Sequence, residues 1–309
     1  MHKLPILVKD ETAPLEAVVL GIAQDFGGAP SLDEAYDPKS KEHIKAGTFP
    51  VENDLVKEMQ AFNAVFEKYN IEVYRPENIG NYNQIFSRDI AFVIDEKFII
   101  PNILDNRVRE FEAISFVVEH IDANSIVKMT DGARVEGGDV MPWDDFIFVG
   151  VSDEEDFEKY TCARTNYAGV EFLQKTFPER IVVSFELNKS DVEPRDNALH
   201  LDCCLQPIGK DQAVIYPRGF KCKDDVQFLM DYFGEENIIE ITRDEMYNMN
   251  SNLFSISPEV IVSEKGFTRL NEELRRRGFT VEEIPYAEIS KMEGLLRCST
   301  LPLRRRYND

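Results

Sequence analysis

The apolar and polar positions of this chain repeat in blocks. Each block begins with a short apolar strand or a pair of strands, continues through a turn into an amphipathic helix, and ends in a further strand. In the first block, strand 15–20 is followed by apolar residues at positions 55, 59, 62, 66 and 69, a spacing that predicts one buried helix face. Residues 71–74 predict the closing strand. The order of elements repeats five times, although similarity between the blocks is slight.

Four further blocks have the same order of predicted elements. Their strands are predicted at residues 90–94, 98–100 and 125–129, at 140, 146–149 and 181–183, at 199–208, 213–216 and 238–241, and at 253–256, 260–262 and 280–284. Their helices carry apolar residues within 111–121, 170–177, 226–233 and 267–274, the last ending at Gly278. A final strand at 299–303 is predicted to close the array onto the first block.

The five blocks predict an α/β protein built from pseudo-fivefold ββαβ repeats. No linker rich in Gly, Pro or Ser separates them, which favours one closed, radially repeated domain over residues 1–309. An ordinary mixed α/β sheet is the alternative. The insertion 25–49 in the first block is predicted to be a long loop near the mouth of a pocket, where it would act as a lid.

Charge and composition restrict the classes of partner. The chain has 35 Lys and Arg against 57 Asp and Glu, a formal net charge of -22, which argues against nucleic acid and suits a cationic small molecule. No apolar run approaches the roughly 18 residues of a membrane span, so a cytoplasmic protein without a membrane partner is expected. Five cysteines without C-x-x-C spacing predict no disulfide framework and leave a working thiol available. The oligomeric state is left open, a homo-oligomer included.

Polar motifs occur at the same phase of successive blocks. Asp89 precedes the second block, Glu136 the third, His200 and Asp202 open the fourth, and Cys298 precedes the closing strand. The separation from Asp89 to Cys298, 298 minus 89 or 209 residues, makes four steps of about 52 residues. Equivalent positions of a radial repeat meet at one end of its axis, so these side chains are predicted to converge on one pocket.

Each of these residues alone also has a structural interpretation. His200 lies between apolar neighbours and resembles a half-buried structural histidine, Cys298 a small buried hydrophobe, and the Glu136 motif a glycine turn. Their shared phase favours the joint functional interpretation. A thiolate with a histidine and a carboxylate is a nucleophilic group, and two further aspartates suit a planar cation such as guanidinium.

Neither a metal nor a nucleotide cofactor is indicated. The four histidines are far apart in sequence, and the chain has no H-E-x-x-H, no phosphate loop and no G-x-G-x-x-G. The predicted chemistry is therefore carried by protein side chains alone.

With these motifs in this order, the chain resembles the guanidino-group-modifying (pentein) superfamily, with its amidinotransferases and arginine deiminases. The resemblance runs from Pro14 to Arg305 and implies a five-bladed α/β propeller. The segments Arg-Asp-Ile-Ala-Phe-Val and Arg-Thr-Asn-Tyr-Ala-Gly are similar to amidinotransferases, and Arg-Cys-Ser-Thr-Leu-Pro-Leu is similar to arginine deiminases. The usual glycine-rich run before the cysteine is reduced here to residues 292–296.

The resemblance also implies a role for each site residue. Cys298 would be the nucleophile, His200 the general acid and base, and Glu136 the acid that orients the histidine. Asp89 and Asp202 would hold the guanidinium nitrogens, and Asp202 favours an unsubstituted guanidinium because dimethylarginine hydrolases usually lack it. The substrate carboxylate would be held by Arg164 and Arg218. Replacing Asp89 or Asp202 by asparagine is expected to weaken ligand binding and to leave the fold intact.

Three functions are compatible with this sequence. The leading hypothesis is a hydrolase of the deiminase type that forms a covalent intermediate between Cys298 and arginine or a related guanidino compound. An arginine:amine amidinotransferase would use the same nucleophile and differ in the group that accepts the amidino carbon. A non-catalytic binding protein with a similar propeller fold would not need to retain the cysteine, the histidine and the acids.

Overall fold

This computed structural model describes residues 3–307, and its strands form five sheets of three strands each. The strands are β1 (Leu15–Leu20), β2 (Glu72–Tyr74), β3 (Phe92–Ile94), β4 (Lys97–Ile100), β5 (Ile126–Lys128), β6 (Val140–Trp143), β7 (Phe146–Val151), β8 (Ile181–Glu186), β9 (Leu205–Ile208), β10 (Gln212–Ile215), β11 (Ile238–Glu240), β12 (Phe254–Ser257), β13 (Val260–Glu264), β14 (Thr280–Ile284) and β15 (Thr300–Arg305).

All five sheets have the same topology. The central strand is antiparallel to one neighbour and parallel to the other, as β4 is to β3 and β5. A parallel partner requires a crossover connection, and the segment between the second and third strands of each unit supplies it. β15 completes the first sheet by pairing with β1, so the two ends of the chain are joined in one sheet. The five equivalent sheets are consistent with a fivefold repeat.

Ten helices connect and cover the sheets of the described chain. They are α1 (Pro38–Ala46), α2 (Glu52–Lys68), α3 (Val108–Glu112), α4 (Ser115–Val118), α5 (Glu154–Lys159), α6 (Tyr167–Thr176), α7 (Lys223–Phe233), α8 (Arg243–Tyr247), α9 (Thr268–Arg276) and α10 (Ala287–Ser290). Within residues 3–307, no helix combines the length and apolar character needed to cross a membrane.

The longest helix shows how the apolar pattern builds the core. Leu55, Met59, Phe62 and Phe66 of α2 are all buried, as their spacing predicted. The ring of Phe62 packs edge-on against Phe254 at the start of β12, with centroids 5.8 Å apart. The helix is thereby fixed against a sheet that lies far away in sequence.

Three segments differ from the sequence prediction. The insertion 25–49 contains α1, which begins after the N-cap Asp37 and ends at Gly47 with φ 66°. The helix predicted within 111–121 is divided into α3 and α4. The strand predicted at 199–208 begins only at Leu205, because residues 201–203 form a 3₁₀ turn.

Gly21, just after β1, gives a test of this packing. A Cβ atom at Gly21 would clash with the backbone carbonyl of Ile85, whereas a Cβ atom at Gly80 would meet open space. We expect Gly21→Ala to lower the free energy of unfolding by about 1–3 kcal/mol because the backbone must shift. The control Gly80→Ala should change it by less than about 0.5 kcal/mol. Urea denaturation measures both, and equal midpoints would contradict the close approach.

Candidate active site

The polar motifs lie immediately before the first strand of a sheet. Glu136 precedes the 3₁₀ turn Gly137–Asp139 that leads into β6, and His200 precedes the turn Leu201–Cys203 that leads to β9. Gly138 allows these two segments to approach, because a Cβ atom there would lie 2.6 Å from Nδ1 of His200. The glycine of this motif is therefore required by packing beside the histidine.

His200 lies between two buried carboxylates. Its Nε2 is 2.9 Å from Oε2 of Glu136, and its Nδ1 is 3.8 Å from Oδ1 of Asp89. Burial opposes the charge on the imidazole. The carboxylates of Asp89 and Asp139 and the hydrogen bond to Glu136 outweigh burial and raise the pKa of the imidazole to about 9. His200 is therefore protonated at neutral pH and donates from Nε2 to Glu136.

The sulfur of Cys298 is buried beside a carboxylate and an amide. Sγ lies 3.5 Å from Oδ2 of Asp202 and accepts a hydrogen bond from Nδ2 of Asn252 at 3.1 Å. Burial, together with the charges of Asp202 and Asp89, raises the pKa of the thiol well above its ordinary value. The empty site therefore holds a protonated thiol. Asn252 lies in the segment 249–252, just before the first strand of the fifth unit, and the sequence analysis gave it no role.

An arginine that the sequence analysis did not single out pairs with Asp89. Nη1 of Arg107 lies 2.8 Å from Oδ2 of Asp89 and 3.8 Å from Oε2 of Glu136. Glu110 accepts two further hydrogen bonds from this guanidinium, at 2.8 and 3.0 Å. Ligand atoms of Asp89, Glu136 and His200 lie within 4.8 Å of one another, a spacing that suits a metal ion. Arg107 already places a cation against two of these three groups.

Asp202 also pairs with an arginine of the chain. Nη1 of Arg297 donates to Oδ2 of Asp202 at 3.0 Å, and Glu11 accepts two hydrogen bonds from the same guanidinium, each 3.0 Å long. Arg297 and Asp202 are fully buried. Asp202 therefore supports the structure as well as lying beside Cys298, which changes the expectation that Asp202→Asn would leave the fold intact.

Of the two arginines predicted to hold a carboxylate, the structure brings one to the cluster. Arg164 is buried, and its Nε lies 3.5 Å from Oε2 of Glu136. Arg218 is exposed and borders a separate surface cavity with Asn188 and Tyr216. Both arginines follow the second strand of their unit, yet Arg164 lies against the acid cluster and Arg218 lies on the surface.

Arg107 occupies the same phase in the second unit, after β4. The position of Arg164 in the repeat was thus the signal that could have identified Arg107. Arg297 gave a weaker signal, because its place next to Cys298 says nothing of its partner 95 residues earlier, Asp202.

The insertion 25–49 forms a wall of a cavity of about 470 Å³. Tyr36, Asp37 and Phe49 line the cavity from the insertion, and Arg107 and Glu110 line it from the second unit. Arg107 thus borders both this cavity and the acid cluster. None of Asp89, Glu136, His200, Asp202 and Cys298 lines this cavity, so the expectation that the insertion acts as a lid at the mouth of their pocket stays a prediction.

A family model described as eukaryotic N,N-dimethylarginine dimethylhydrolase matches residues 35–305. The chain belongs to this family. Membership places it in the guanidino-group-modifying superfamily that its motifs resemble, whose members are hydrolases and amidinotransferases.

The chain is similar to an uncharacterized bacterial protein and, at lower identity, to an arginine deiminase. It is 32% identical over 238 residues to the uncharacterized protein YkgA of Bacillus subtilis, covering 77% of this chain and 76% of the relative. It is 25% identical over 207 residues to an arginine deiminase of Oenococcus oeni, covering 56% of this chain. The match spans about half (47%) of that deiminase.

Solved structures of two other enzymes have a similar fold. The N-terminal domain of ArgZ, an arginine dihydrolase of cyanobacteria, superposes with a TM-score of 0.76 at 17% identity, over 94% of this chain and 97% of that one. The inosamine-phosphate amidinotransferase StrB1 of Streptomyces griseus gives a TM-score of 0.75 at 16% identity, over 98% and 97%. At these identities the likeness concerns the fold.

The buried pair of Asp202 and Arg297 predicts a cost in stability. We expect Asp202→Asn to lower the free energy of unfolding by about 3 kcal/mol, because it leaves a buried guanidinium with one carboxylate fewer. Asp211→Asn, at an exposed position, is the matched control and should change it by less than about 0.5 kcal/mol. Urea denaturation of both variants measures the difference, and an Asp202→Asn protein as stable as the wild type would show that the pair adds nothing.

The raised pKa of His200 predicts a distinct titration. NMR of the histidine rings should show one imidazole with a midpoint near pH 9, absent in His200→Gln and retained in the exposed-residue control His120→Gln. Glu136→Gln should lower this midpoint because a neutral amide replaces the carboxylate. A midpoint near 6.5 for the resonance that His200→Gln removes would contradict the buried ion pair.

The same shift fixes the sign of the stability change with pH. The pKa of His200 is higher in the folded chain, about 9, than the ordinary value near 6.5. Its contribution to stability is therefore complete below about pH 6.5 and is lost as the pH rises through about 9. Urea denaturation of the wild type and His200→Gln across this window should converge at high pH.

Proposed function

We propose that the protein is a cysteine-dependent hydrolase that acts on the guanidinium carbon of arginine or of a related guanidino compound. The observation that carries the proposal is the buried cluster in which Asp89 lies beside the His200–Glu136 pair, while the thiol of Cys298 lies beside Asp202 and within the influence of the charge of Asp89. Membership in a family of guanidino-modifying enzymes supports the same substrate class.

In the proposed reaction the thiol of Cys298 releases its proton to solvent as the guanidinium binds, and the thiolate attacks the guanidinium carbon and forms a carbon–sulfur bond. A carbon–nitrogen bond of the adduct then breaks, and the leaving amine takes a proton from His200. Water attacks the remaining amidino carbon and gives a proton back to His200. The carbon–sulfur bond then breaks, the sulfur takes up the proton of the new hydroxyl group to restore the thiol, and the guanidinium has been converted to a ureido group.

Activation of the thiol is proposed to depend on the substrate. Burial and the charges of Asp202 and Asp89 keep Cys298 protonated in the empty site. A bound guanidinium brings a positive charge next to the sulfur and opposes these carboxylates, which lowers the pKa of the thiol. The thiolate of Cys298 would then form only while a guanidinium substrate is bound beside it.

Two unpartnered buried atoms mark where a substrate would bind. Within residues 3–307, Oε1 of Glu136 accepts no hydrogen bond and Nη2 of Arg164 donates none, although both are buried. Oε1 of Glu136 suits a guanidinium N–H, and Nη2 of Arg164 suits a carboxylate at the other end of the substrate. A guanidinium that reaches Asp89 must also compete with Arg107. We leave Arg218 out of the proposed site because it lies on the surface.

The second candidate is an amidinotransferase with the same nucleophile. The segments similar to amidinotransferases favour it, whereas the match to a family of hydrolases and the segment around Cys298 favour hydrolysis. For either reaction we propose that the five sheets surround one axis as a five-bladed propeller, in one catalytic domain over residues 1–309. This arrangement would bring the motifs before β3, β6, β9 and β15 to one end of the axis.

Mass spectrometry of reaction products tests these alternatives. Without any acceptor amine, incubation with arginine or with a methylated arginine should give a ureido product and a free amine. If glycine is added and an amidino group appears on it instead, the result would favour the transferase. Tight binding without any product would favour a non-catalytic protein.

Variants of two thiols test the nucleophile. Cys298→Ser should abolish turnover because an alcohol replaces the attacking sulfur, whereas Cys222→Ser at an exposed position should keep full activity. His200→Ala should reduce kcat by at least about 10²-fold. Acid quenching should leave an added mass on the peptide that contains Cys298. Full activity of Cys298→Ser would refute the mechanism.

A further inference from the structure

The side chain of Asn252 contacts Cys298 at two points. Its Oδ1 accepts a hydrogen bond from the backbone N–H of Cys298 at 3.2 Å, and its Nδ2 lies 3.1 Å from Sγ of the same residue. A backbone N–H can only donate, so the oxygen of the amide must face it. The N–H₂ group must then face the sulfur. The orientation of Asn252 is therefore fixed by the residue that it contacts.

The local backbone holds Asn252 rigidly in this position. The N–H of Asn252 donates to the carbonyl of Met249 at 2.9 Å, and Met249 has the left-handed φ of 67°. Oγ of the adjacent Ser251 donates to the carbonyl of Asp202 at 2.9 Å, which ties this turn to the turn after His200. Asn252 is fully buried. A polar side chain without exposure has little freedom to leave its partners.

The surroundings of the sulfur make this donor important. Oδ2 of Asp202 lies 3.5 Å away, the charge of Asp89 acts on the same thiol, and Arg297 donates to that same Oδ2 of Asp202. Cys203 and Tyr286, two further titratable groups near the sulfur, are neutral because burial raises the pKa of each. Against two carboxylates, the amide N–H₂ is the side-chain donor that the described residues direct at Sγ.

We propose that Asn252 is a positioning residue for the nucleophile: its carbonyl holds the main chain of Cys298, and its amide N–H₂ directs and stabilises the sulfur as a thiolate. The proposal rests on the proposed function of Cys298. Asn252 acts through the sulfur and transfers no proton. Without it, no side-chain donor of the described residues would offset Asp202, which lies 3.5 Å from Sγ and opposes the negative charge of a thiolate.

Asn250 supplies a matched control in the same segment. It is also buried, but it lines a different cavity, of about 360 Å³, together with Glu264 and Ser290. A substitution there changes the same turn without touching the sulfur. An effect found at Asn252 and not at Asn250 would therefore be due to the contact with Cys298.

The test measures the alkylation of Cys298 by iodoacetamide as a function of pH, without substrate, by mass spectrometry of the peptide. Asn252→Asp keeps the acceptor for the backbone N–H and turns a carboxylate toward the sulfur. It should move the midpoint of the rate–pH curve upward by at least about one pH unit, and slow labelling at neutral pH about tenfold. Asn252→Ala should shift the curve in the same direction by less. Asn250→Asp and the labelling of exposed Cys222 should be unchanged.

The outcomes separate this proposal from the proposed function. Curves for Asn252→Asp and Asn252→Ala that coincide with the wild-type curve would overturn the positioning role. If Asn252→Asp does not fold, as judged by circular dichroism, the alanine variant decides. The readout requires no turnover, so a shifted curve in a protein that releases no ureido product would sink the hydrolase proposal and leave the positioning role standing.

Discussion

The buried guanidinium of Arg297 is the interaction on which the site depends. It binds Glu11 near the start of the chain, Asp202 in the fourth unit and the carbonyl of Val140 in the third. Removing a charge of this kind from water is costly, and the cost is offset only when its donors are matched by carboxylates and carbonyls. Since the next residue is Cys298, the network that satisfies Arg297 also fixes the backbone that carries the thiol.

Buried arginines also balance the negative charges of the acids in the cluster. Asp89, Glu136 and Asp202 share a buried space, and Arg107, Arg164 and Arg297 each place a positive charge against one of these acids. His200 adds a further positive charge. A backbone hydrogen bond at Leu295 and the amide of Asn252 favour the thiolate of Cys298, but burial and the carboxylates outweigh them. The cluster therefore combines a charged imidazole with a neutral sulfur, and a cationic ligand is the change that would alter this balance.

The three arginines also show where reasoning from the repeat succeeds and where it stops. Arg107, Arg164 and Arg218 all follow the second strand of their units, and the repeat alone treats them as equivalent. Only the folded path of the chain shows that Arg107 and Arg164 turn inward to the acids, whereas Arg218 lies on the surface. The boundaries of the elements show the same contrast. Both ends of β14 were predicted correctly, whereas the turn at 201–203 was predicted to be strand.

The sequence by itself determined the five blocks, the burial of the α2 face and the common phase of Asp89, Glu136, His200 and Cys298. These are properties of local periodicity, which each segment expresses wherever it packs. Only the tertiary structure decided that Arg107 and Arg297 pair with the acids and that Asn252 faces the sulfur. Those pairings depend on how segments up to 286 residues apart approach one another and on which buried charge lacks a partner, and neither is a property of any one segment.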